Sequence, residues 1–242
     1  MVPSNSSHPY ESADVRAVTG PAIRPGGLIL TGRAADHCRL GPKDRVLDVG
    51  CGTAATADFL NTRYGASVIG VDRSDILLAE ARRQHPVAAL VRGDAVRLPL
   101  KAAYFNAVFC ECVCSLLPDP AAALDEWHRV LVPGGALVLA DLYWRMPRTP
   151  MADPPVAAGC LGGAVDRQTM IQRIQSVGFT IDRWEDHSHA LKQLAAEMVW
   201  AGVSLNALWG EACGRGACSH SNRPGYCLIV ARKCRTRGDD NG

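Results

Sequence analysis

The sequence predicts an α/β protein built on a doubly wound parallel sheet. Two observations carry this. Short apolar runs of strand character alternate with helical stretches from Arg45 to Ala140. The first run passes directly into a glycine turn, Asp48-Val49-Gly50-Cys51-Gly52, that opens a helix. Such alternation means parallel strands covered by helices on both faces, wound by right-handed crossovers. Ligands on these sheets sit beyond the carboxyl ends of the strands, at the switch point.

The elements follow in order. Residues 1–25 hold Pro3, Pro9, Pro21 and Pro25 without a clean period and read as a loose arm. Leu28, Thr31, Ala35 and Cys38 share one face of a short helix. Arg45 to Val49 is a buried strand, and a helix follows from about Ala54 to Tyr64, closed by Gly65. Strands at Ser67–Val71 and Val87–Val91 flank a helix at Asp75–Gln84. Asn106–Cys110 is the fourth strand. Asp119-Pro120 then opens a helix to about Val130, with a capping acid and a proline in its first turn. Pro133-Gly134-Gly135 reads as a turn before a strand at Ala136–Ala140. A proline- and glycine-rich stretch, about 145–165, reads as a loop or lid inserted over the site. Asp166–Val177 is a helix, Phe179–Trp184 a strand, Ser188 to about Leu208 a long helix, and Tyr226–Ala231 a last strand. No inter-domain linker interrupts 26–242, which reads as a single domain.

Composition narrows the function classes. The 242 residues carry a net charge of +2, against the strong basic excess of a dedicated nucleic-acid binder. No run approaches the ~18 apolar residues of a membrane span, and the first 25 residues lack a secretory signal. A cytoplasmic protein without nucleic-acid or membrane partners is expected. The ten cysteines are too few for a disulfide scaffold and should be thiols in that compartment. Cys110, Cys112 and Cys114 cluster within five residues, and Cys213 and Cys218 form a second pair near His220. That pair lacks the partner pair of a zinc site, so no metal centre is expected.

The glycine turn admits a ligand against the backbone, with helix N–H groups suited to a carboxylate or phosphate. Asp72 ends the second strand, where a carboxylate can accept from both hydroxyls of a ribose. Asp94 ends the third, where it can accept from an adenine amino group. These positions admit either S-adenosylmethionine or a nicotinamide dinucleotide, since Gly50 to Ala55 also satisfies a loose dinucleotide fingerprint. Asp48 before the turn, Gly93-Asp94, and the run Arg129-Val130-Leu131-Val132-Pro133-Gly134-Gly135 favour the methyl donor.

With these segments, residues 45–142 resemble a class I S-adenosylmethionine-dependent methyltransferase. The resemblance implies a Rossmann-like, seven-stranded methyltransferase sheet, mostly parallel with an antiparallel last strand. It implies that Gly50 and Gly52 take the methionine part, Asp72 the ribose and Asp94 the adenine, with Asp48 orienting the turn. Cys51, Arg73, Ala95 and Cys110, beside these positions, complete the expected cofactor set. Ala54 stands where the family usually has a third glycine.

Methyl transfer needs a nucleophile held in line with the donor, about 3–3.5 Å away. If the segment after the fourth strand stays extended, Cys110, Cys112 and Cys114 share one side. Cys112-Val113, Leu116 and Pro118-Asp119, with Cys160, Gly163-Ala164 and Val177-Gly178-Phe179, resemble the arsenite methyltransferase branch. That resemblance implies Cys112 and Cys160 as ligands of a trivalent metalloid substrate. Thiolates select soft centres, and arsenic so held keeps a lone pair that attacks carbon with no proton to remove. Ala57 stands where the branch commonly has a further cysteine. Tyr143 and Trp144 are expected to line the substrate space. His128 reads as a surface position; His187 and His189, at the start of the long helix, could supply a general base, though nothing in the sequence places either ring at the methyl; Trp200 and Trp209 read as core. The alternatives are a methyltransferase of a small organic molecule with structural cysteines, a nicotinamide oxidoreductase, and a non-catalytic cofactor-binding domain.

Overall fold

The protein is described by a computed structural model over residues 9–11, 13–86, 88–147, 159–205 and 223–234. The strands are β1 (Arg45–Val49), β2 (Ser67–Asp72), β3 (Ala89–Arg92), β4 (Phe105–Glu111), β5 (Leu131–Trp144), β6 (Phe179–Asp186) and β7 (Pro224–Lys233). They form one sheet in the order β3-β2-β1-β4-β5-β7-β6. The β1/β2, β1/β4, β2/β3 and β4/β5 pairs are parallel, whereas β7 runs antiparallel to both β5 and β6. Chain order reverses direction between β1 and β4, and this fixes the switch point there.

Helices α1 (Ala13–Thr19), α2 (Gly27–Cys38), α3 (Ala55–Tyr64), α4 (Asp75–Gln84), α5 (Pro120–Val130), α6 (Arg167–Ser176) and α7 (Ser188–Trp200) cover the sheet. Side chains of alternating strand residues split the core in two. Leu30, Leu60, Phe109, Leu191, Met198 and Tyr226 belong to one half, and Leu47, Val108, Trp127, Leu139 and Ile229 to the other. Helix starts are set by local chemistry. Ser74 Oγ accepts from Leu77 N–H at 3.1 Å, and Asp119 Oδ1 from Ala122 N–H at 3.0 Å with Pro120 in the first turn. Each is the side-chain cap that favours a helix start at that point.

Five expectations are corrected. The arm does not remain loose throughout: Pro9–Glu11 forms a 3-10 turn and Ala13–Thr19 a helix. Val15 is buried in the core, with Val18 packed against it; two apolar residues give too little period to read. Pro133-Gly134-Gly135 does not end a turn before a strand but is a bulge within β5, where the register against β4 shifts between Phe105 and Ala107. The long helix stops at Trp200 instead of about Leu208, with Gly202 at φ 72 beyond its end, and Trp200 is exposed rather than part of the core. The cysteines after β4 do not share one side, because the strand ends at Glu111 and Cys112 takes a left-handed φ of 57. Cys110 therefore packs into one half of the core and Cys112 into the other. The Cys213/Cys218 pair, His220, Trp209 and most of the expected lid (148–158) lie outside the described residues. Among those described, no helix is long and apolar enough to cross a membrane.

Candidate functional site

A cavity of about 750 Å³ opens beyond the carboxyl ends of β1, β2, β3 and β4. Its lining includes Asp48, Gly50, Cys51, Gly52, Asp72, Arg73, Asp94 and Ala95, all expected cofactor positions, together with Cys112. Cys110 is the exception. It is fully buried in the core and is not among the lining residues, because the alternation of β4 turns it to the face opposite Phe109.

The turn is tight where the glycines stand. Gly50 has φ 70, and a Cβ there would come 2.3 Å from Val113 Cγ2. At Gly52, with φ 52, a Cβ would meet no protein atom within 4 Å, so that backbone borders open space. Ala54, in place of the third glycine, is itself held at φ 66, which explains why a glycine suits the position. The thiol side chain of Cys51 lies over Gly70 of β2, where a Cβ would come 2.8 Å from its Sγ. Asp72 Oδ2 accepts from Gly52 N–H at 2.8 Å and Oδ1 from Ser74 N–H at 2.8 Å, so the carboxylate is locked at the rim. Asp94 Oδ1 accepts from Val96 N–H at 3.1 Å.

Deeper in, Glu111 is a buried carboxylate with three partners. Arg24 Nη2 pairs with its Oε2 at 2.9 Å, Thr56 Oγ1 donates to the same oxygen at 2.8 Å, and Thr31 Oγ1 donates to Oε1 at 2.9 Å. Next to this cluster, Asp48 is buried, and its carboxyl is pushed up to about 8 by desolvation and then by the charge of Glu111, against the pull of Arg24. Asp48 Oδ2 and Arg24 Nε have no hydrogen-bond partner. One is a buried acceptor and one a buried donor, and both residues line the cavity. That pair fits an α-amino acid with its ammonium and carboxylate groups. The rim carboxylates Asp72 and Asp94 fit hydroxyl and amino donors.

Cys112 lines the cavity, whereas Cys160 is buried behind that lining, in the same half of the core. Tyr226 Oη is 3.3 Å from Cys112 Sγ. The Tyr10 hydroxyl is hydrogen-bonded to Cys160 Sγ. Desolvation holds the Cys112 thiol well above its ordinary value, followed by the charge of Asp141 and the neighbouring Cys160. The same burial and the same carboxylate push Cys160 up to about 12. Both groups are thus neutral thiols near pH 7. Cys114 belongs with the opposite half of the core.

Tyr143 and Trp144 do not line the cavity. Tyr143 is turned away, its hydroxyl donating to Asp186 at 2.9 Å, and Trp144 is buried in the core. His187 pairs with Glu185 at 2.8 Å, away from the lining. Several residues at the site were missed from sequence: Tyr10, Glu11, Pro21, Ile23 and Arg24 form a wall of the cavity, yet they fall in the aperiodic arm. Apolar residues such as Val15, Val18 and Ile23 are interspersed there with Arg16 and Arg24 at no helical or strand period.

Residues 47–139 match the model of the methyltransferase domain family. The trans-aconitate 2-methyltransferase of Methylobacterium nodulans is 32% identical over 161 residues, 61% of this chain and 62% of that protein. An arsenite methyltransferase of Halobacterium salinarum is 26% identical over 179 residues, 70% of this chain and 45% of that protein. The chain thus spans about three fifths of the first relative and under half of the second. Among solved structures, the [4+2]-cyclase SpnF aligns with a TM-score of 0.75 at 23% identity, covering 95% of this chain and 94% of that one; at that identity the likeness concerns the fold alone. Sheet order, cavity and the match over residues 47–139 together show a Rossmann-like methyltransferase fold with S-adenosylmethionine as its cofactor.

Proposed function

We propose that the chain transfers a methyl group from S-adenosylmethionine to a small acceptor held at the thiol end of the cavity, and that the acceptor is a trivalent metalloid such as arsenite. When bound, S-adenosylmethionine supplies a methyl group on a cationic sulfur. Asp48 and Arg24 hold the amino acid end, Gly50 and Gly52 let it lie against the turn, Asp72 takes the ribose, and Asp94 with Ala95 takes the adenine. Arg73 and Cys51 bound the same space.

The observation that carries the acceptor reading is that Cys112, in the cavity lining, and Cys160, from a segment 48 residues away in the chain, are buried in the same half of the core. Neutral thiols suit trihydroxyarsenic. Each As–S bond that forms breaks an As–OH bond, and each thiol proton leaves with the hydroxyl as water, so no base is needed. Arsenic held by two sulfurs remains a soft, nucleophilic centre. The Halobacterium salinarum relative is named for arsenite.

A second reading has its own support. Both thiols already have tyrosine partners, as structural cysteines would, and the Methylobacterium nodulans relative is named for trans-aconitate, an organic acid. In that reading the acceptor is a small organic molecule. One experiment separates the two: incubation with labelled S-adenosylmethionine and either arsenite or a panel of organic acids and quinols. Under the first reading, arsenite is methylated, Cys112→Ser and Cys160→Ser each abolish transfer, and donor affinity stays intact. Transfer to arsenite surviving both substitutions refutes it.

A further inference from the structure

We propose that Asp141 is the positioning residue of the acceptor end: its buried carboxylate fixes both chain segments that carry the paired thiols. The inference rests on the reading of Cys112 and Cys160 as acceptor ligands, and it concerns a residue that never reaches the cavity.

Asp141 lies in β5 and is fully buried. A buried carboxylate is retained only where donors surround it. Here Ser115 N–H donates to Oδ2 at 2.9 Å, Ser115 Oγ donates to Oδ1 at 2.6 Å, and Leu142 N–H donates to Oδ1 at 2.7 Å. Ser115 lies in the 3-10 turn Cys114–Leu116, which is separated from Cys112 only by Val113. The neighbouring residue of β5 completes the clamp, since Cys112 N–H donates to Ala140 O at 2.7 Å. Cys112 is thereby held from both sides in its left-handed conformation.

The second segment leans on the same serine. A Cβ at Gly163 would lie 2.2 Å from Ser115 O, so the chain just after Cys160 is in backbone contact with the residue that Asp141 holds. Beyond it, Trp144 N–H donates to Val165 O at 2.9 Å and ties that segment to β5 as well. Asp141 thus stands behind Ser115, and Ser115 stands between the two thiols' supports. Outer partners of this kind orient ligands without touching what is bound.

The test uses phenylarsine oxide, which condenses with two adjacent thiols to form two As–S bonds with loss of one water. Native mass spectrometry reads the one-to-one adduct that Cys112→Ser removes. In Asp141→Asn, which keeps the shape but loses an acceptor and the charge, affinity for this adduct falls about tenfold. Alkylation of Cys112 by iodoacetamide does not slow, and S-adenosylmethionine affinity measured by calorimetry stays unchanged. In arsenite transfer the loss falls on KM, with kcat held. Should Asp141→Asn fail to fold, Ser115→Ala removes one of the same bonds and weakens the adduct less but measurably. Wild-type adduct affinity in these variants overturns the proposal, as do a matching loss of donor affinity and the lack of any such adduct in the unsubstituted protein. If the adduct behaves as expected while arsenite is never methylated, the substrate reading fails and the role of Asp141 in pairing the thiols stands.

Discussion

Asp48 and Arg24 line the same cavity, and each carries a buried atom without a hydrogen-bond partner, the acceptor Oδ2 of Asp48 and the donor Nε of Arg24. Leaving such a group unpaired costs about 1–3 kcal/mol. The site is therefore held at the expense of the fold, in the way functional sites break rules that cores obey.

Replacing Asp48 by asparagine should therefore stabilise the donor-free protein. The folded carboxyl titrates near 8, against 3.8 for the unperturbed group. Between those values the unfolded state ionises while the folded state keeps its proton, so rising pH favours unfolding. The cost is absent below about pH 4 and complete above about pH 8. Asp48→Asn should melt above the parent at pH 8, with the gap closing toward pH 4, and should bind S-adenosylmethionine more weakly. Thermal melts across that range check it; parallel curves would refute the assignment.

The Arg24–Glu111 pair makes a second case. The two side chains are 9% and 2% exposed. Removing one partner of a buried pair costs about 3–5 kcal/mol, because the other charge is stranded. Arg24→Met should lose that much in urea denaturation and also weaken donor binding. The double variant Arg24→Met/Glu111→Gln should be more stable than Arg24→Met alone, since the stranded charge is gone. Equal losses in the two proteins would show that packing, not charge, dominates.

Much of this site was legible in the sequence, for physical reasons. The β1 turn, Asp72 and Asp94 each end a short apolar run at a fixed place in an alternating pattern, and that pattern alone fixes which ends of the strands meet. What escaped depends on contacts between distant segments. Arg24 reaches Glu111 from an aperiodic arm, and Tyr10 reaches Cys160 across 150 positions. The face of Cys112 was misread because period-2 reasoning assumes extended backbone, and one left-handed residue reverses it.

That left-handed residue carries its own prediction. A non-glycine residue in this conformation costs about 1–2 kcal/mol. Cys112→Gly and Cys112→Ala both remove the thiol, and both should abolish transfer to arsenite. They should differ in stability, because glycine accepts φ 57 without penalty. The glycine variant should be the more stable by about 1 kcal/mol in chemical denaturation. An alanine variant equal to it would mean that the backbone relaxes once the sulfur is gone.

Two single methyl groups should divide the donor end from the acceptor end. At Gly50 a Cβ meets Val113 Cγ2 at 2.3 Å on a backbone with φ 70, so Gly50→Ala must distort the turn that S-adenosylmethionine lies against. At Gly163 a Cβ meets Ser115 O at 2.2 Å. Ser115 cannot retreat, since Asp141 accepts from both its N–H and its hydroxyl, so the chain bearing Cys160 must move instead. Gly50→Ala should lower donor affinity sharply. Gly163→Ala should leave donor affinity intact and slow arsenite transfer by about a hundredfold, the loss typical of an ångström's misplacement. Calorimetry with the donor and single-turnover transfer on both variants read the two effects separately. Loss of donor binding in Gly163→Ala would mean that the second thiol's segment supports the whole cavity rather than its acceptor end.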